Sequence, residues 1–266
     1  MVVERKKFIE RKNKLLKNNV WCFMVKVKFM GNDGKLYKYL VEGSDYVDLN
    51  SIRRIMSYML PIYAVDNIDF YENDSVIVDE VVANRIGLCP LTTPLSNTGQ
   101  KVTFKLEKQG PGPVYSGDLL SSDSDVKMVY DTILLTKLNE NEKISLEAYA
   151  ELGRGKDHTK YTPAIVSYAQ LFSLNLETAC KDCKEIYNKY SKDAIKVGKD
   201  LLVKPEQYDI CMSEIEKCEK KCLKLNATNN YMFNIELIGQ TNVKDLLKLT
   251  NRYVKEYVSL LKKKFK

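Results

Sequence analysis

Residues 43–94, GSDYVDLNSIRRIMSYMLPIYAVDNIDFYENDSVIVDEVVANRIGLCPLTTP, constrain the fold more than any other stretch of this chain. Leu49, Ile52, Ile55, Met56 and Met59 recur at three- and four-residue steps, which places them on one stripe of a helix. Asp48 and Asn50 are the expected N-cap residues, and Pro61 ends a helix spanning Gly43–Leu60. Arg53 and Arg54 must flank that stripe or point away from it. An apolar stripe needs a surface to cover it, so on periodicity alone this is an ordinary core helix. The segment before it reads as a hairpin: VWCFMVKVKFM alternates towards its end, GNDG supplies a turn, and KLYKYLVEG follows as a second strand. Residues 1–20 are Lys-rich and read as a tail or a short helix.

From Tyr63 to about Tyr161 the chain is mostly β in character. AVDNIDFY, SVIVDEVV, KVTFKLEK, Ile133–Leu138 and Ile144–Tyr149 carry β-branched or aromatic residues with alternation. Asp79–Leu88 reads alternatively as a short helix, because Glu80, Val81, Asn84 and Arg85 follow a turn-by-turn spacing. GPGPVYSGDLLSSDSD is rich in Gly, Pro and Ser and is expected to be loop for most of its length. Near the end, YMFNIELIG alternates as a strand, and Asn242 with Asp245 resembles a capping box. Val243, Leu246, Leu247, Tyr253, Val254, Tyr257, Val258, Leu261 and Phe265 then keep a 3.6-residue period. The closing KKKFK suits the negative end of a helix dipole. So long an apolar face exceeds what the sheet of a small domain can cover, which leaves core packing or a helix shared with a partner chain.

The 266 residues suit one to two domains, with 44% hydrophobic residues for a core and 29% charged residues for a soluble surface. No apolar run approaches the roughly 20 residues of a membrane helix. The basic N-terminal stretch has no apolar segment after it, so a cytoplasmic protein is expected. A net charge of +7 permits a nucleic-acid neighbour without requiring one. Seven cysteines without an export signal read as reduced thiols or metal ligands rather than a disulfide framework. Gly153-Arg-Gly155-Lys156 suggests a phosphate loop but fails the test, since position 150 is Ala where Gly is needed and position 157 is Asp where Ser or Thr is needed. His158 is the single histidine, so neither a His-based metal cluster nor a His–Asp relay can be assembled. Asp123-Ser-Asp125 sits in a Ser-rich loop, and no D-x-D-G-D carboxylate triplet for magnesium is present. The chain reads as non-catalytic, and it carries no helix-turn-helix or zinc-finger pattern for direct DNA reading.

Three phrases together carry a family resemblance. The first joins Asn50, Ile52, Arg53 and Arg54 with Asp79, Glu80, Ala83, Arg85, Gly87, Leu88, Pro90 and Leu91. The second is Gly112-Pro-Val-Tyr-Ser-Gly-Asp-Leu119. The third contains Ala148, Ala150, Leu152, Gly153, Gly155, Lys156, His158, Lys160 and Pro163. The chain thereby resembles the D subunit of archaeal DNA-directed RNA polymerase, a family that includes the bacterial alpha subunit and the eukaryotic third-largest subunit. Asn84 stands where that family usually has a histidine, and Thr159 where it usually has an alanine.

The resemblance implies an α+β chain of three parts. Residues 1–62 plus 228–266 would form a discontinuous alpha-subunit-type dimerisation domain, an antiparallel sheet plus two helices. Residues 63–163 would form a mostly β insert domain, and 164–227 a degenerate ferredoxin-like α+β insert. In that insert, runs of the form C-x2-C-x2-C-x3-C hold iron–sulfur clusters because four thiolates converge on each. Here Cys180 and Cys183 keep one C-x2-C, but Ile186 and Tyr190 occupy the next two ligand positions. In the second run Cys218 and Cys222 remain, and Cys211 lies seven residues before Cys218 where six are needed. Cys180, Cys183 and Cys222 would give at most an incomplete cluster, or Zn²⁺ with a water as fourth ligand; the expectation is a domain without metal or other cofactor.

The function implied is a scaffold subunit of the polymerase, a nucleotidyltransferase (transferase) complex of transcription, with no active-site residue in this chain. It would heterodimerise with the small L subunit through the helix at 46–60 and the C-terminal helix, where Leu246, Leu247, Val254 and Tyr257 are the interface candidates. That pair would be the platform for the second-largest subunit, alongside other small subunits, with DNA met only through the complex and no membrane contact. Asn50, Arg53, Arg54 and Arg85, with Gly153, Lys156, His158 and Lys160 of the 153–160 loop, are the candidates for reaching the large subunits; arginine suits this because its planar fork pairs carboxylates bidentately. The competing class is a free iron–sulfur redox protein built on the cysteine segment, which needs complete ligand sets.

Overall fold

A computed structural model describes residues 25–95, 99–176, 181–198, 200–217 and 222–264. The expectations for residues 1–20, for Cys180, Cys218 and Phe265, fall outside the described residues. In chain order the elements are β1 (Lys26–Asp33), β2 (Leu36–Glu42), α1 (Tyr46–Arg54) running into a π-helical turn (Ile55–Met59), β3 (Pro61–Asn73), α2 (Asp79–Leu88) and β4 (Val102–Gln109). They continue with β5 (Gly112–Tyr115), β6 (Leu120–Ser121), β7 (Leu134–Leu138), β8 (Lys143–Arg154), β9 (Ala164–Leu176) and α3 (Lys181–Ser191). The last are β10 (Ile195–Val197), β11 (Asp200–Val203), α4 (Tyr208–Glu216), β12 (Leu223–Leu237) and α5 (Val243–Lys264). Helices and mostly antiparallel sheets make this α+β.

The chain divides into two compact units. The first holds the described residues up to Asn32 with Lys38–Leu49 and Ser167–Asn234. Its sheet has the order β1-β2-β12-β9-β11-β10. α3 and α4 pack together, and Leu174, Cys183, Tyr190, Val203, Cys211, Ile215, Cys222 and Leu223 form one buried core. A second core joins Leu40, Leu171, Ile195, Leu202 and Met232.

The second unit comprises Asp33–Tyr37, Asn50–Val166 and the chain from Ile235 onward. Its four-stranded sheet has the order β3-β8-β4-β6, beside a β5–β7 ribbon. β8 alternates strictly, burying Ile144, Leu146, Ala148 and Ala150. These face Phe104 and Leu106 of β4 and the buried side of α2, Val82 and Ile86, in one core. The period of two in the strands and the turn-by-turn spacing in α2 put apolar atoms on facing surfaces, which drives this packing.

Three local readings need correction. SVIVDEVV is not a strand, and the alternative reading of a helix over Asp79–Leu88 holds: the chain bends at Ser75–Ile77 and α2 begins at Asp79, where two carboxylates favour the positive end of the helix dipole. The capping residue of α1 is Asp45, not Asp48 or Asn50; its Oδ1 accepts from Val47 N–H at 3.4 Å and its carbonyl from Leu49 N–H at 3.2 Å. The helix starts at Tyr46 rather than Gly43 and widens to a π turn before Pro61. GPGPVYSGDLLSSDSD is loop for most of its length, as expected, and also carries two short strands, β5 and β6, because Val114 is an inward-facing core position and Gly112–Tyr115 pair with β7. The C-terminal cap is as expected: Asn242 Oδ1 accepts from Asp245 N–H at 2.9 Å, and the Asn242 amide donates back to Asp245 Oδ2 at 2.7 Å. Asn242→Ala should therefore cost about 1 kcal/mol in thermal or urea unfolding, with Asn242→Ser recovering most of it.

Candidate functional site

The site is built on an irregularity in β3. Val65 pairs with Ala150 and Asn67 with Tyr149, so Asp66 is an extra residue left out of the ladder. A bulge of this kind re-aims a side chain. The Asp66 carboxylate meets Lys160, whose Nζ donates to Asp66 Oδ1 at 2.7 Å and to the Val65 carbonyl at 3.0 Å. Tyr161 Oη donates to the same carboxylate oxygen at 3.2 Å, and the Lys160 ammonium lies 5.1 Å from the Tyr161 ring centroid. The Lys160 hydrogen bond holds the Asp66 carboxyl below its usual range, and burial with the Asp66 charge pushes the Tyr161 phenol up. Lys160 is ion-paired with Asp66 and has only 13% of its side chain exposed.

Beside this pair lies a cleft of about 260 Å³. Val65–Ile68 of β3, Ala83, Asn84, Gly87 and Leu88 of α2, and His158 with Lys160 line it. His158 Nδ1 accepts from Lys160 N–H at 3.1 Å, which leaves Nε2 to carry the proton of the neutral ring. Asn84, Leu88 and His158 are exposed. Two of the three sequence phrases thus meet at one place.

The 153–160 loop is held close by glycines. A Cβ on Gly153 would sit 2.3–2.5 Å from carbons of the Tyr161 ring, and one on Gly155 would sit 2.4 Å from the Ser57 carbonyl oxygen. The loop lies on the π turn, with Lys156 N–H donating to the Tyr58 carbonyl at 3.0 Å. That turn follows directly from Asn50, Arg53 and Arg54. Asn50 Oδ1 accepts from Arg53 Nη2 at 2.9 Å and from Arg53 Nε at 3.3 Å, while Arg54 is exposed. The Lys156 side chain is exposed.

Arg85 is used differently from its neighbours in sequence: Nη1 donates to the Leu135 carbonyl at 2.7 Å and pins α2 to β7. On α5, Leu246 is fully buried and Val254 half-buried, whereas Leu247 and Tyr257 are exposed. Asp66 and Tyr161 were not foreseen from sequence; a bulge leaves no compositional mark, and the sole signal for Tyr161 is its place beside Lys160. Of the expected metal ligands, Cys183 and Cys222 are buried in the first unit, and among the described residues no three His, Cys, Asp or Glu side chains gather as a metal site.

The second unit thus presents an open cleft between β3 and α2 and a long helix whose distal half exposes apolar residues. Residues 69–167 match the family model described as the RNA polymerase Rpb3/RpoA insert domain. The chain is 32% identical over 255 residues to DNA-directed RNA polymerase subunit Rpo3 of Pyrococcus furiosus, covering 90% of this chain and 98% of that protein. Rpo3 of Thermococcus kodakarensis is 40% identical over 171 residues, covering 61% and 66%. Rpo3 of Pyrococcus horikoshii is 32% identical over 241 residues, covering 86% and 93%. The chain belongs to the Rpo3 family of archaeal DNA-directed RNA polymerase subunits.

Two measurements test the site's construction. Gly153→Ala should cost about 1–3 kcal/mol through overpacking, and the cost should shrink in a Tyr161→Ala background. Because the folded pKa of Asp66 lies below its ordinary value of 3.8, its contribution is present above that pH and is lost as pH falls through the lower folded value. Asp66→Asn should therefore lose up to about 1 kcal/mol at pH 7, and urea denaturation should show the gap to the parent narrowing in acid.

Proposed function

We propose that this chain is a non-catalytic assembly subunit of an archaeal DNA-dependent RNA polymerase. It pairs with the small L subunit, and the pair is the platform on which the second-largest subunit and the other small subunits gather. The observation that carries this reading is α5. Its first turns bury Leu246, Leu249 and Thr250, but Tyr257, Val258 and Leu260 further along are 52%, 37% and 55% exposed. Tyr253 and Tyr257 stack in parallel on the same helix, with centroids 6.3 Å apart. A 22-residue helix with its apolar stripe bare over the distal half needs a second chain to cover it. Resemblance supplies L as that chain, and α1 with its π turn as the neighbouring element; the π turn packs against α5.

Docking of the large subunit is assigned to the surface formed by Arg53, Arg54, the 153–160 loop and the cleft with Asn84. DNA is met only through the complex, and the protein works in the cytoplasm; no helix among the described residues is long and apolar enough to cross a membrane.

Co-expression with L, followed by size-exclusion chromatography with light scattering, should give a one-to-one complex. A lone chain that stays monomeric and ignores L would overturn the reading. Tyr257→Glu with Leu260→Glu should abolish that complex while leaving the thermal unfolding of the lone chain within about 0.5 kcal/mol of the parent. Arg53→Ala with Arg54→Ala should leave the L complex intact and weaken recruitment of the second-largest subunit; assembly of the whole enzyme at parental yield from that variant would refute the assignment.

A further inference from the structure

α5 carries two rows of largely apolar residues, and its own unit seats only one of them. Leu246, Leu249 and Thr250 are buried in the first turns, and Tyr253 continues that row outward with its ring stacked on Tyr257. Leu247, Asn251, Val254, Val258 and Leu261 form the second row. Its steps are four, three, four and three residues, the heptad spacing that keeps one seam in line along a pair of helices. With 3.6 residues per turn, the second row lies roughly 100° round the helix from the buried one. Leu247 and Val258 are 40% and 37% exposed, Asn251 is exposed, and Val254 and Leu261 are half-buried, so this row stands largely open.

A ladder of lysines borders the second row on the side away from the buried one. Lys248, Lys255 and Lys262 recur every seven residues at a position that flanks a heptad seam, and all three are exposed. Lys248 also meets Asp245 of the same helix at 3.0 Å. The helix holds seven basic side chains against Asp245 and Glu256 alone, so a second copy laid on this row would press two strongly positive helices together. Laid antiparallel, it would set the three lysines against their own equivalents. Asn251 interrupts the apolar row at one layer, and a polar residue in a seam selects register and partner at a cost in stability.

We propose that this row is a heptad seam for a helix of a different chain. That helix is apolar at its own seam positions, offers a polar side chain opposite Asn251, and carries carboxylates opposite Lys248, Lys255 and Lys262. The proposal rests on the reading of α5 as the helix that pairs with a partner subunit, and adds what selects the partner: the apolar positions supply contact area, and the lysine ladder rejects a second copy. A nucleic-acid strand would meet the lysines through its phosphates but leave Leu247, Val254 and Val258 uncovered, so an acidic amphipathic helix fits both features where a polyanion fits one.

The test offers the full chain two three-heptad helical peptides with the same apolar seam and a single Asn, one flanked by Glu and the other by Lys. Binding is followed by fluorescence anisotropy at low and high salt. The Glu peptide should bind about tenfold or more tightly than the Lys peptide, and salt should narrow the difference. Lys255→Glu with Lys262→Glu should reverse the preference, and Lys255→Gln with Lys262→Gln should erase it; both lysines are exposed, so circular dichroism should show unchanged helix content. Equal binding of the two peptides, binding of neither, or self-association of the parent chain that Val258→Glu undoes would overturn the proposal. Binding of duplex DNA through the same lysines, with no preference between the peptides, would overturn it as well. Parental yield of the L complex from the Lys255→Glu, Lys262→Glu chain would sink the seam and leave the L reading standing. Selection of the Glu peptide by a chain that ignores L would uphold the seam and sink that reading instead.

Discussion

The antiparallel pairing of β3 with β8 is the interaction on which the second unit depends. It runs from Pro61 opposite Arg154 to Asn73 opposite Ile144, joining segments far apart in sequence. Its inner face supplies Tyr63, Val65, Ile144, Leu146, Ala148 and Ala150 to the core, so register is fixed by burial: a one-residue slip would turn that whole set to solvent. The same ladder decides where the candidate site sits. The π turn ends at Met59, two residues before Pro61, and the Gly153–Lys160 loop begins where β8 ends. Pairing the two strands therefore brings the arginine helix end and the glycine loop together.

Within that frame the charges divide by purpose. Lys160, Asp66 and Tyr161 form a local network in which the Lys160 ammonium donates to the Val65 carbonyl and to the exposed Asp66 carboxylate, which also accepts from Tyr161. Arg85 is likewise spent on a backbone carbonyl. Arg54, Lys156 and His158 remain at the surface, where a partner can reach them. The family's usual histidine at position 84 is here an asparagine on the cleft wall, which exchanges a titratable group for a neutral donor and acceptor.

What the sequence made legible follows from how local each signal is. Alternation in Ile144–Tyr149 and the Asn242–Asp245 cap with its 3.6-residue stripe need few residues to read, and both stand in the structure. The glycines of the 153–160 loop could be seen, but their reason, an aromatic ring and a carbonyl pressed against them, comes from chain segments elsewhere. SVIVDEVV misled because Val76 and Val78 favour a strand, yet they are 83% and 60% exposed on a bend with nothing to pair them. Propensity lost there to the helix-starting charges of Asp79 and Glu80. Asp66 was invisible because a bulge is a property of two paired strands and not of one.

The two exposed surfaces of the second unit differ in what water does to them. Tyr257, Val258 and Leu260 present apolar area that is costly to leave wet, so a partner on α5 is favoured whenever it is available. The cleft between β3 and α2 carries Asn67, Asn84 and His158, which water solvates well, so that surface can wait. Under the proposed function, the helix is therefore covered first and the polar cleft is presented to a further partner afterwards.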